Sequence, residues 1–328
     1  MRATDHRSTG WTILAAFATF STFLLVILGG IVRITESGMG CGDDWPLCNG
    51  SLIPPLDLPT FIEYGHRLTA LAVTVLVVGL AATAWKPGRK QGWRRRRRSS
   101  LLALGLLGVQ ILLGAITVWL ELPPTSVILH LGTAMAVFAA LVVATLQGMR
   151  AGEGGHPAED RASSMVVAFG GLALIVVVLG ALVANLEAAT ACVGFPLCNG
   201  ELFPVNAWRV QLHWTHRMLA YALALSLLGL PYATRLHRPG DGPALRAAWL
   251  SLAVGWVQIA IAAAMVLQLF PPGLRAVHVG AGAAVFGALV IYAWLVRHPA
   301  AWVPSPPAVG ASSTTVDSAA AGRRHVSG

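Results

Sequence analysis

Charge is scarce in this chain of 328 residues: only 11% of them are Asp, Glu, Lys or Arg, whereas 55% are hydrophobic. Soluble domains carry about 25% charged residues. The shortage, together with a mean hydropathy of +0.67, therefore excludes an ordinary water-soluble protein. Acidic residues are especially few, 14 against 23 basic ones, which leaves a net charge of +9. These numbers predict an integral membrane protein.

Apolar stretches long enough to cross a bilayer as helices, about 20 residues each, occur along the whole chain. The first could be mistaken for a signal peptide, but its apolar run is too long and it has a counterpart in mid-chain, so we expect a retained helix. The predicted fold class is all-α integral membrane, with eight transmembrane helices at 11–33, 62–85, 100–120, 127–148, 163–185, 208–234, 244–268 and 276–296.

Basic residues indicate how these helices are oriented, because cytoplasmic loops retain Lys and Arg. Most of the 23 basic residues fall in the two tails, the 86–99 loop and the later connections on the same side. We therefore expect a multi-pass protein of the cell membrane with both termini in the cytoplasm. The five-arginine run at 94–98 could suggest nucleic acid, but beside a membrane helix it favours topology and contact with anionic lipid. No nucleic-acid partner is expected.

Cysteine is also rare, with four in the chain, all in loops on the opposite, acidic side. These loops are expected to face an oxidising, extracytoplasmic compartment, where disulfides persist. Five or six residues separate the cysteines of each loop, so we predict disulfides Cys41–Cys48 and Cys192–Cys198. Since the spacing is not C-x₂-C, a metal site is disfavoured. A redox-active dithiol stays open as an alternative to a structural disulfide.

The two halves of the chain repeat one order of motifs: a cysteine loop, a His-Arg pair, then Pro-Pro followed by a second histidine. Each half is predicted to be a four-helix bundle, and the two bundles are expected to be related by a pseudo-two-fold axis. The predicted divisions are an N-terminal bundle at 1–148, a cytoplasmic linker at 149–162, a C-terminal bundle at 163–298 and a disordered cytoplasmic tail at 299–328.

Repeat-related histidines lie within the apolar spans: His66 and His130 in the first half, His216 and His278 in the second. Ionisable groups at membrane depth are costly and point to function. A single histidine could simply hydrogen-bond between helices, but the repeated pattern favours a shared role. Neutral imidazole is a good ligand for heme iron. We predict that each pair clamps one heme between two helices.

The repeat is imperfect beside the first histidine of each half, where Glu63 is replaced by His213. A buried carboxylate can accept and donate protons, although a favourable position near a helix N-terminus is the simpler alternative. We expect His213 to pack beside a heme rather than bind iron. Arg67 and Arg217 are candidates to pair heme propionates, with lipid phosphate as the alternative.

Two glutamines are also repeat-related: Gln110 and Gln258 occupy corresponding positions in the third and seventh spans. Amide side chains in membrane helices commonly bond to neighbouring helices. We expect both glutamines to form hydrogen bonds between helices.

Several of these motifs together resemble those of the heme A synthases, integral membrane enzymes that convert heme O to heme A. The resemblance rests on the stretch at 29–35, the cysteine loop at 37–50 and the Glu-x-x-His-Arg motif at 63–67, and it covers about residues 10–298. It implies eight helices in two pseudo-symmetric bundles. It also implies a heme O substrate site in the N-terminal half, on His66 and His130, and a heme b cofactor in the C-terminal half, on His216 and His278.

Further expectations follow from this resemblance. Glu63 matches a functionally important carboxylate of the family, and Cys41–Cys48 matches a disulfide of many bacterial members. The implied reaction oxidises the C8 methyl of heme O to a formyl group by successive hydroxylations, with water as the oxygen source, to supply heme A to terminal oxidases. The implied partners are membrane lipid, an unidentified electron acceptor and a complex with heme O synthase.

Two functions of other classes stay open from the residues alone. One is a diheme b-type membrane electron carrier, and the other is a heme-delivery chaperone. The replacement of Glu63 by His213 favours the enzyme, because a plain carrier has less need for two unlike sites.

Overall fold

The structure, a computed structural model, describes residues 6–55, 57–85, 92–150, 161–205 and 207–299. Across these ranges it contains α-helices, one short 3₁₀ turn and isolated β-bridges. Most of the predicted linker and nearly all of the predicted tail lie outside the described residues. The helices are α1 (His6–Ile34), α2 (Leu58–Trp85), α3 (Trp93–Trp119), α4 (Pro124–Met149), α5 (Arg161–Asn185), α6 (Trp208–Leu228), α7 (Leu230–His237), α8 (Gly242–Leu267) and α9 (Pro272–Arg297).

Eight helical segments in the described part of the chain are long and apolar enough to cross a membrane, with α6 and α7 counted as one. They coincide with the eight predicted spans, so the prediction of a multi-pass membrane protein is confirmed. The largest difference is at α3, which begins at Trp93 rather than at residue 100. The prediction excluded the arginine run because of its charge, but arginine is a good helix former and can extend its charged end to the membrane surface.

The sixth predicted span, 208–234, contains two helices instead of one. Helix α6 ends at Leu228 and α7 begins at Leu230, with Gly229 between them. Pro231 follows in the first turn of α7. Proline has no N–H for the bond to the carbonyl four residues earlier and its ring crowds that carbonyl, so the helix is interrupted here.

Neighbouring helices in each half pack in a closed order. In the first half α1 contacts α2 and α4, and α3 contacts α2 and α4. In the second half α5 contacts α6 and α9, and α8 contacts α6 and α9. Helices α1, α4, α5 and α9 also contact across the halves, which makes α9 the most buried span, with 61% of its most apolar window buried. The pseudo-two-fold relation between the halves stays a prediction.

The connections that precede α4 and α9 have the same backbone conformation. Glu121 and Leu122 have φ of 56° and 61°, and Leu269 and Phe270 have φ of 58° and 62°. A proline with φ −62° and ψ 142° then caps each helix. Both turns reverse the chain in the same way, so the histidine that lies six residues into each helix reaches the same depth, about 9 Å at 1.5 Å per residue.

Arginine and tryptophan side chains meet at the end of the helices opposite the cysteine loops. The Arg97 guanidinium lies 5.3 Å from the ring centroid of Trp85 and 5.6 Å from that of Trp93. Arg96 lies 5.9 Å from the ring centroid of Trp11. Indole rings and arginines are typical of membrane–water interfaces, and cation–π contact is favourable there. The orientation in the membrane and the contact of the arginine run with anionic lipid stay predictions.

Candidate functional site

A large cavity lies between the helices, towards the cysteine loops. Its volume is about 1240 Å³, which exceeds the roughly 300–1,000 Å³ of an ordinary small-molecule pocket. Helices of both halves form its walls, and most of the lining side chains are aliphatic. The four predicted heme ligands all line it: His66, His130, His216 and His278.

These histidines enter the cavity from the cysteine-loop ends of four different helices. His66 and His216 lie in the third turn of α2 and α6, and His130 and His278 in the second turn of α4 and α9. His66 and His130 line the cavity from helices of the first half, and His216 and His278 line it from helices of the second half. The structure therefore brings together the two pairs that the sequence grouped. Their role as iron ligands stays a prediction.

Three of the four rings carry a buried nitrogen with no hydrogen-bond partner among the described residues: Nδ1 of His66, His130 and His216. A buried polar atom left unpaired costs about 1–3 kcal/mol and calls for an explanation. Imidazoles that are poorly satisfied by protein and face an apolar cavity are suited to a ligand that binds the ring itself. The donor set thus fits an iron porphyrin.

The same three histidines lie edge-on against a glycine of the neighbouring helix. A Cβ added to Gly29, Gly114 or Gly180 would lie 3.2, 3.0 or 3.0 Å from Cε1 of the facing ring. Real Cβ atoms rarely approach so closely, so the absence of a side chain is what admits each ring. These glycines fix the position of the rings, and sequence reasoning had assigned them no such role.

Both repeat-related glutamines form the predicted hydrogen bonds between helices, but to different atoms. The amide of Gln110 donates to Nε2 of His130 at 3.1 Å. The amide of Gln258 donates to Nδ1 of His278 at 3.1 Å and to the backbone carbonyl of the same residue at 3.1 Å. The same amide lies 3.4 Å from Nε2 of His278, so Gln258 reaches both ring nitrogens of its histidine, whereas Gln110 bonds one.

Glu63 is buried, with 3% of its surface exposed, and it lines the cavity. One carboxylate oxygen accepts the backbone N–H of Cys41 at 2.8 Å. The other accepts two bonds from Arg67, at 3.1 Å from Nε and 2.6 Å from Nη2. The carboxylate is therefore anchored between the cysteine loop and α2, and is not exposed at a wet helix end.

His213, the counterpart of Glu63, uses both ring nitrogens within the protein. Its Nδ1–H donates to the carbonyl of Ala188 at 3.1 Å, and its Nε2 accepts from Nε of Arg217 at 3.2 Å. No lone pair is left for iron. His213 therefore packs between Ala188 and Arg217 at the cavity wall, and its role beside a heme stays a prediction.

The two arginines of the His-Arg motifs fasten the cysteine loops. Arg67 donates to the backbone carbonyls of Asp44 and Leu47. Arg217 does the same in the second half, where its acceptors are the carbonyls of Cys192, Gly194 and Leu197. Pairing with heme propionates stays a prediction for both arginines, and these guanidinium groups already have several protein acceptors.

Two further arginines line the cavity, as Arg67 and Arg217 also do. Arg33, at the end of α1, donates from Nε to Oδ1 of Asn185 at 2.8 Å, and Arg275 lies in the first turn of α9. Both lie at the cysteine-loop end of the cavity, so they add positive charge to the side from which the histidines enter.

Both predicted disulfides are present, with S–S distances of 2.01 Å for Cys41–Cys48 and 1.99 Å for Cys192–Cys198. All four cysteines are buried. Among the residues that the structure describes, no group of three or more His, Cys, Asp or Glu side chains is arranged to hold a metal ion by itself. The prediction that the cysteines form these two disulfides is confirmed.

Comparison with known proteins agrees with this architecture. Residues 10–290 match the family model COX15-CtaA, described as a cytochrome oxidase assembly protein. The heme A synthase of Symbiobacterium thermophilum is 34% identical over 267 residues, which is 79% of this chain and 85% of the relative. The heme A synthase of Alkalihalophilus pseudofirmus is 34% identical over 224 residues, covering 66% of this chain and 73% of the relative.

Proposed function

We infer, because the chain belongs to the COX15-CtaA family of cytochrome oxidase assembly proteins, that it is an oxidoreductase that converts heme O to heme A for terminal oxidases. The structural observation that supports this function is the cavity lined by two pairs of histidines from the apolar helices. Oxidation of the C8 methyl of heme O to a formyl group is the chemistry we assign to it.

Heme O is the proposed substrate of the N-terminal half, between His66 and His130. The hydrogen bond from Gln110 to Nε2 of His130 supports this assignment, because the nitrogen that usually binds heme iron already has a donor that iron must displace. In the C-terminal half the corresponding contact, from Gln258 to Nε2 of His278, is longer, at 3.4 Å. The stronger competition at His130 suits a substrate that enters and leaves.

Heme b is the proposed cofactor of the C-terminal half, held by His216 and His278. Both histidines line the cavity, and Gly180 packs against the ring of His216. When bound, heme b supplies one-electron transfer.

The residues of the cavity have distinct proposed roles. The aliphatic walls exclude water and keep the porphyrin edge dry, and Gly29 and Gly114 hold the substrate histidines in one orientation. Glu63 lies three residues before His66 and accepts the protons released as the methyl group is oxidised. Arg33 and Arg275, which line the cavity, are proposed propionate partners in addition to Arg67 and Arg217.

In the membrane, we propose that both termini face the cytoplasm and that the cysteine loops lie on the extracytoplasmic side of the cell membrane. The halves would then act as the predicted bundles, with 1–148 binding substrate and 163–298 binding cofactor. An electron acceptor and a complex with heme O synthase complete the proposed pathway, because a membrane-bound, poorly soluble substrate favours direct transfer.

The deciding experiment identifies the product. The full chain is expressed with and without a supply of heme O, and the extracted hemes are analysed by mass. We expect a species with the mass change of methyl-to-aldehyde conversion only when heme O is supplied. Two bound hemes that never change mass would instead indicate an electron carrier, and bound but unmodified heme O would indicate a delivery protein.

A Glu63→Gln variant tests the proton role in the same assay. Glutamine keeps one acceptor oxygen, so it can still accept the Cys41 N–H that ties it to the loop, while the charge and the paired bonds from Arg67 are lost. We expect a normal heme b spectrum with most heme A formation lost, by about 10²-fold or more. Product formation at the native level would remove Glu63 from the chemistry.

A further inference from the structure

The cavity extends out of the N-terminal half along an apolar groove. The groove is formed by Leu52 and Ile53 of the first cysteine loop and by Leu68 and Leu71 of α2, all of which line the cavity. These side chains are also strongly exposed, at 79%, 82%, 48% and 59%. The space around His66 therefore continues to the surface between the loop and the helix.

The C-terminal half does not continue outwards in this way. The counterparts of the groove residues, among them Leu202 and Met218, line a separate pocket of about 200 Å³. Tyr221 and Arg217 line both the small pocket and the large cavity, so they form the wall between the two. The pocket beside the second cysteine loop is therefore separate from the cavity that the histidines line.

One substitution between the halves accounts for most of this difference. Leu71 corresponds to Tyr221, whose hydroxyl donates to the carbonyl of Pro196 at 3.0 Å and whose ring packs edge-on against Phe195 at 5.9 Å. In the first half Trp45, the counterpart of Phe195, packs edge-on against Trp119 of α3 at 5.9 Å instead. The aromatic pair that closes the C-terminal half is thus absent at the corresponding place beside Leu71.

Each cysteine loop forms the same hydrogen bond with the helix that follows it. The difference between the two halves therefore does not come from this contact. Tyr64 donates to the carbonyl of Leu52 at 2.7 Å, and Trp214 donates to that of Leu202 at 2.8 Å. Both loop tips are therefore tied to their helices in one way. The open groove of the first half is not explained by a looser loop.

We propose that the groove formed by Leu52, Ile53, Leu68 and Leu71 binds the long farnesyl-derived chain of heme O. This inference rests on the proposed function. Heme O differs from heme b by that apolar chain, which cannot fit beside the porphyrin in a closed site of the C-terminal type. An apolar groove that joins the His66 cavity and faces lipid at its outer end gives the chain a matching surface. Leu71 and Tyr221 then determine which half accepts which heme.

The test compares heme O with heme b, which lacks the chain, in titrations of the full-length protein in lipid nanodiscs. Binding at the N-terminal site is followed by absorbance. The native protein is expected to bind heme O about tenfold or more tightly than heme b at this site. Leu71→Tyr introduces the residue that closes the other half, and it should weaken heme O binding about tenfold while leaving heme b binding within about twofold.

Val75→Tyr is the matched control. Val75 lies one turn further along α2, is 64% exposed and does not line the cavity, so the same side chain there should change neither affinity. The spectrum of the heme in the C-terminal half reports whether each variant is folded. Equal binding of the two hemes by the native protein, an unchanged heme O affinity in Leu71→Tyr, or equal losses for both hemes would each overturn the proposal.

This outcome is distinct from that of the proposed function, because the titration does not require turnover. Preferential binding of heme O without any conversion would leave the groove assigned and remove the enzymatic role.

Discussion

At the scale of single residues, the most regular feature of the cavity is a histidine ring in contact with a glycine of the neighbouring helix. It is found for His66, His130 and His216, with added Cβ atoms 3.0–3.2 Å from the ring. A histidine that must bind a planar ligand needs one ring orientation, and a helix backbone in contact with the ring edge supplies it. Replacing such a glycine by a larger residue is therefore expected to weaken ligand binding more than it destabilises the fold.

Gly180→Ala should weaken heme binding in the C-terminal half. The new methyl group would lie 3.0 Å from Cε1 of His216, and relieving the overlap by moving the ring costs about 1–3 kcal/mol. We expect about a tenfold or greater loss of heme affinity, measured as the heme-to-protein ratio and the reduced-minus-oxidised spectrum.

Gly170→Ala on the same helix is its control, because no atom lies within 4 Å of the added Cβ. It should bind heme like the native chain. Native spectra from Gly180→Ala would mean that the glycine does not position the ring.

Sequence alone could identify the histidines and not the glycines. Imidazoles within apolar spans are unusual, and their recurrence in both halves marks them. Glycine is common in membrane helices, so Gly114 or Gly180 gains meaning only when the helix opposite is known. The two glutamines lie between these cases, because a bond between helices was predicted for them, but the choice of ring nitrogen depends on side-chain orientation.

At the scale of structural elements, the cysteine loops and the helices that follow them form one unit. Arg217 is 5% exposed and bonds three loop carbonyls as well as His213. The planar guanidinium can serve several acceptors at once, which the lysine ammonium cannot do in the same geometry. The loop of the first half is held in the same way, with Glu63 in place of the histidine.

Arg217→Lys should therefore loosen the second loop. Buried carbonyls that lose their donor cost about 1–3 kcal/mol, which raises the frequency of local opening by about tenfold. Faster reduction of Cys192–Cys198 by a mild thiol, measured by alkylation and peptide mass, is the expected result, while Cys41–Cys48 of the same molecules serves as an internal reference.

Arg209→Lys provides a surface control, since the Arg209 side chain is 49% exposed and its nitrogen lies 3.6 Å from Glu187. This variant should leave both reduction rates unchanged. Equal acceleration of the two disulfides in Arg217→Lys, or none, would show that the arginine does not hold its loop.

The helices could be predicted to within about two turns because membrane thickness sets their length and apolar composition marks them. The cysteine pairs could be predicted because each loop contains only two. The loop carbonyls that Arg67 and Arg217 bind could not, because backbone acceptors carry no sequence signal. An arginine near a membrane surface also has lipid phosphate and heme propionate as equally plausible partners on sequence grounds.

At the scale of the whole molecule, helices of both halves line one cavity. The two ends of the molecule differ, with the cysteine loops at one end and the arginine run at the other. The histidines, both disulfides and the apolar groove lie at the cysteine-loop end, and the arginine–tryptophan contacts of Arg96 and Arg97 lie at the other. Such a distribution is expected if the basic end remains in the cytoplasm, where Lys and Arg are retained. Substrate oxidation would then occur near the extracytoplasmic surface.

Fusions to alkaline phosphatase, which folds only where its disulfides can form, test this orientation directly. A fusion after residue 54, in the first cysteine loop, should be active, because the loop is expected outside the cytoplasm. A fusion after residue 150, at the end of α4, should be inactive, because four spans return the chain to the cytoplasmic side. A green fluorescent protein fused at the same two points is expected to give the opposite pattern. Phosphatase activity after residue 150 together with none after residue 54 would invert the topology, and the histidines would then open towards the cytoplasm.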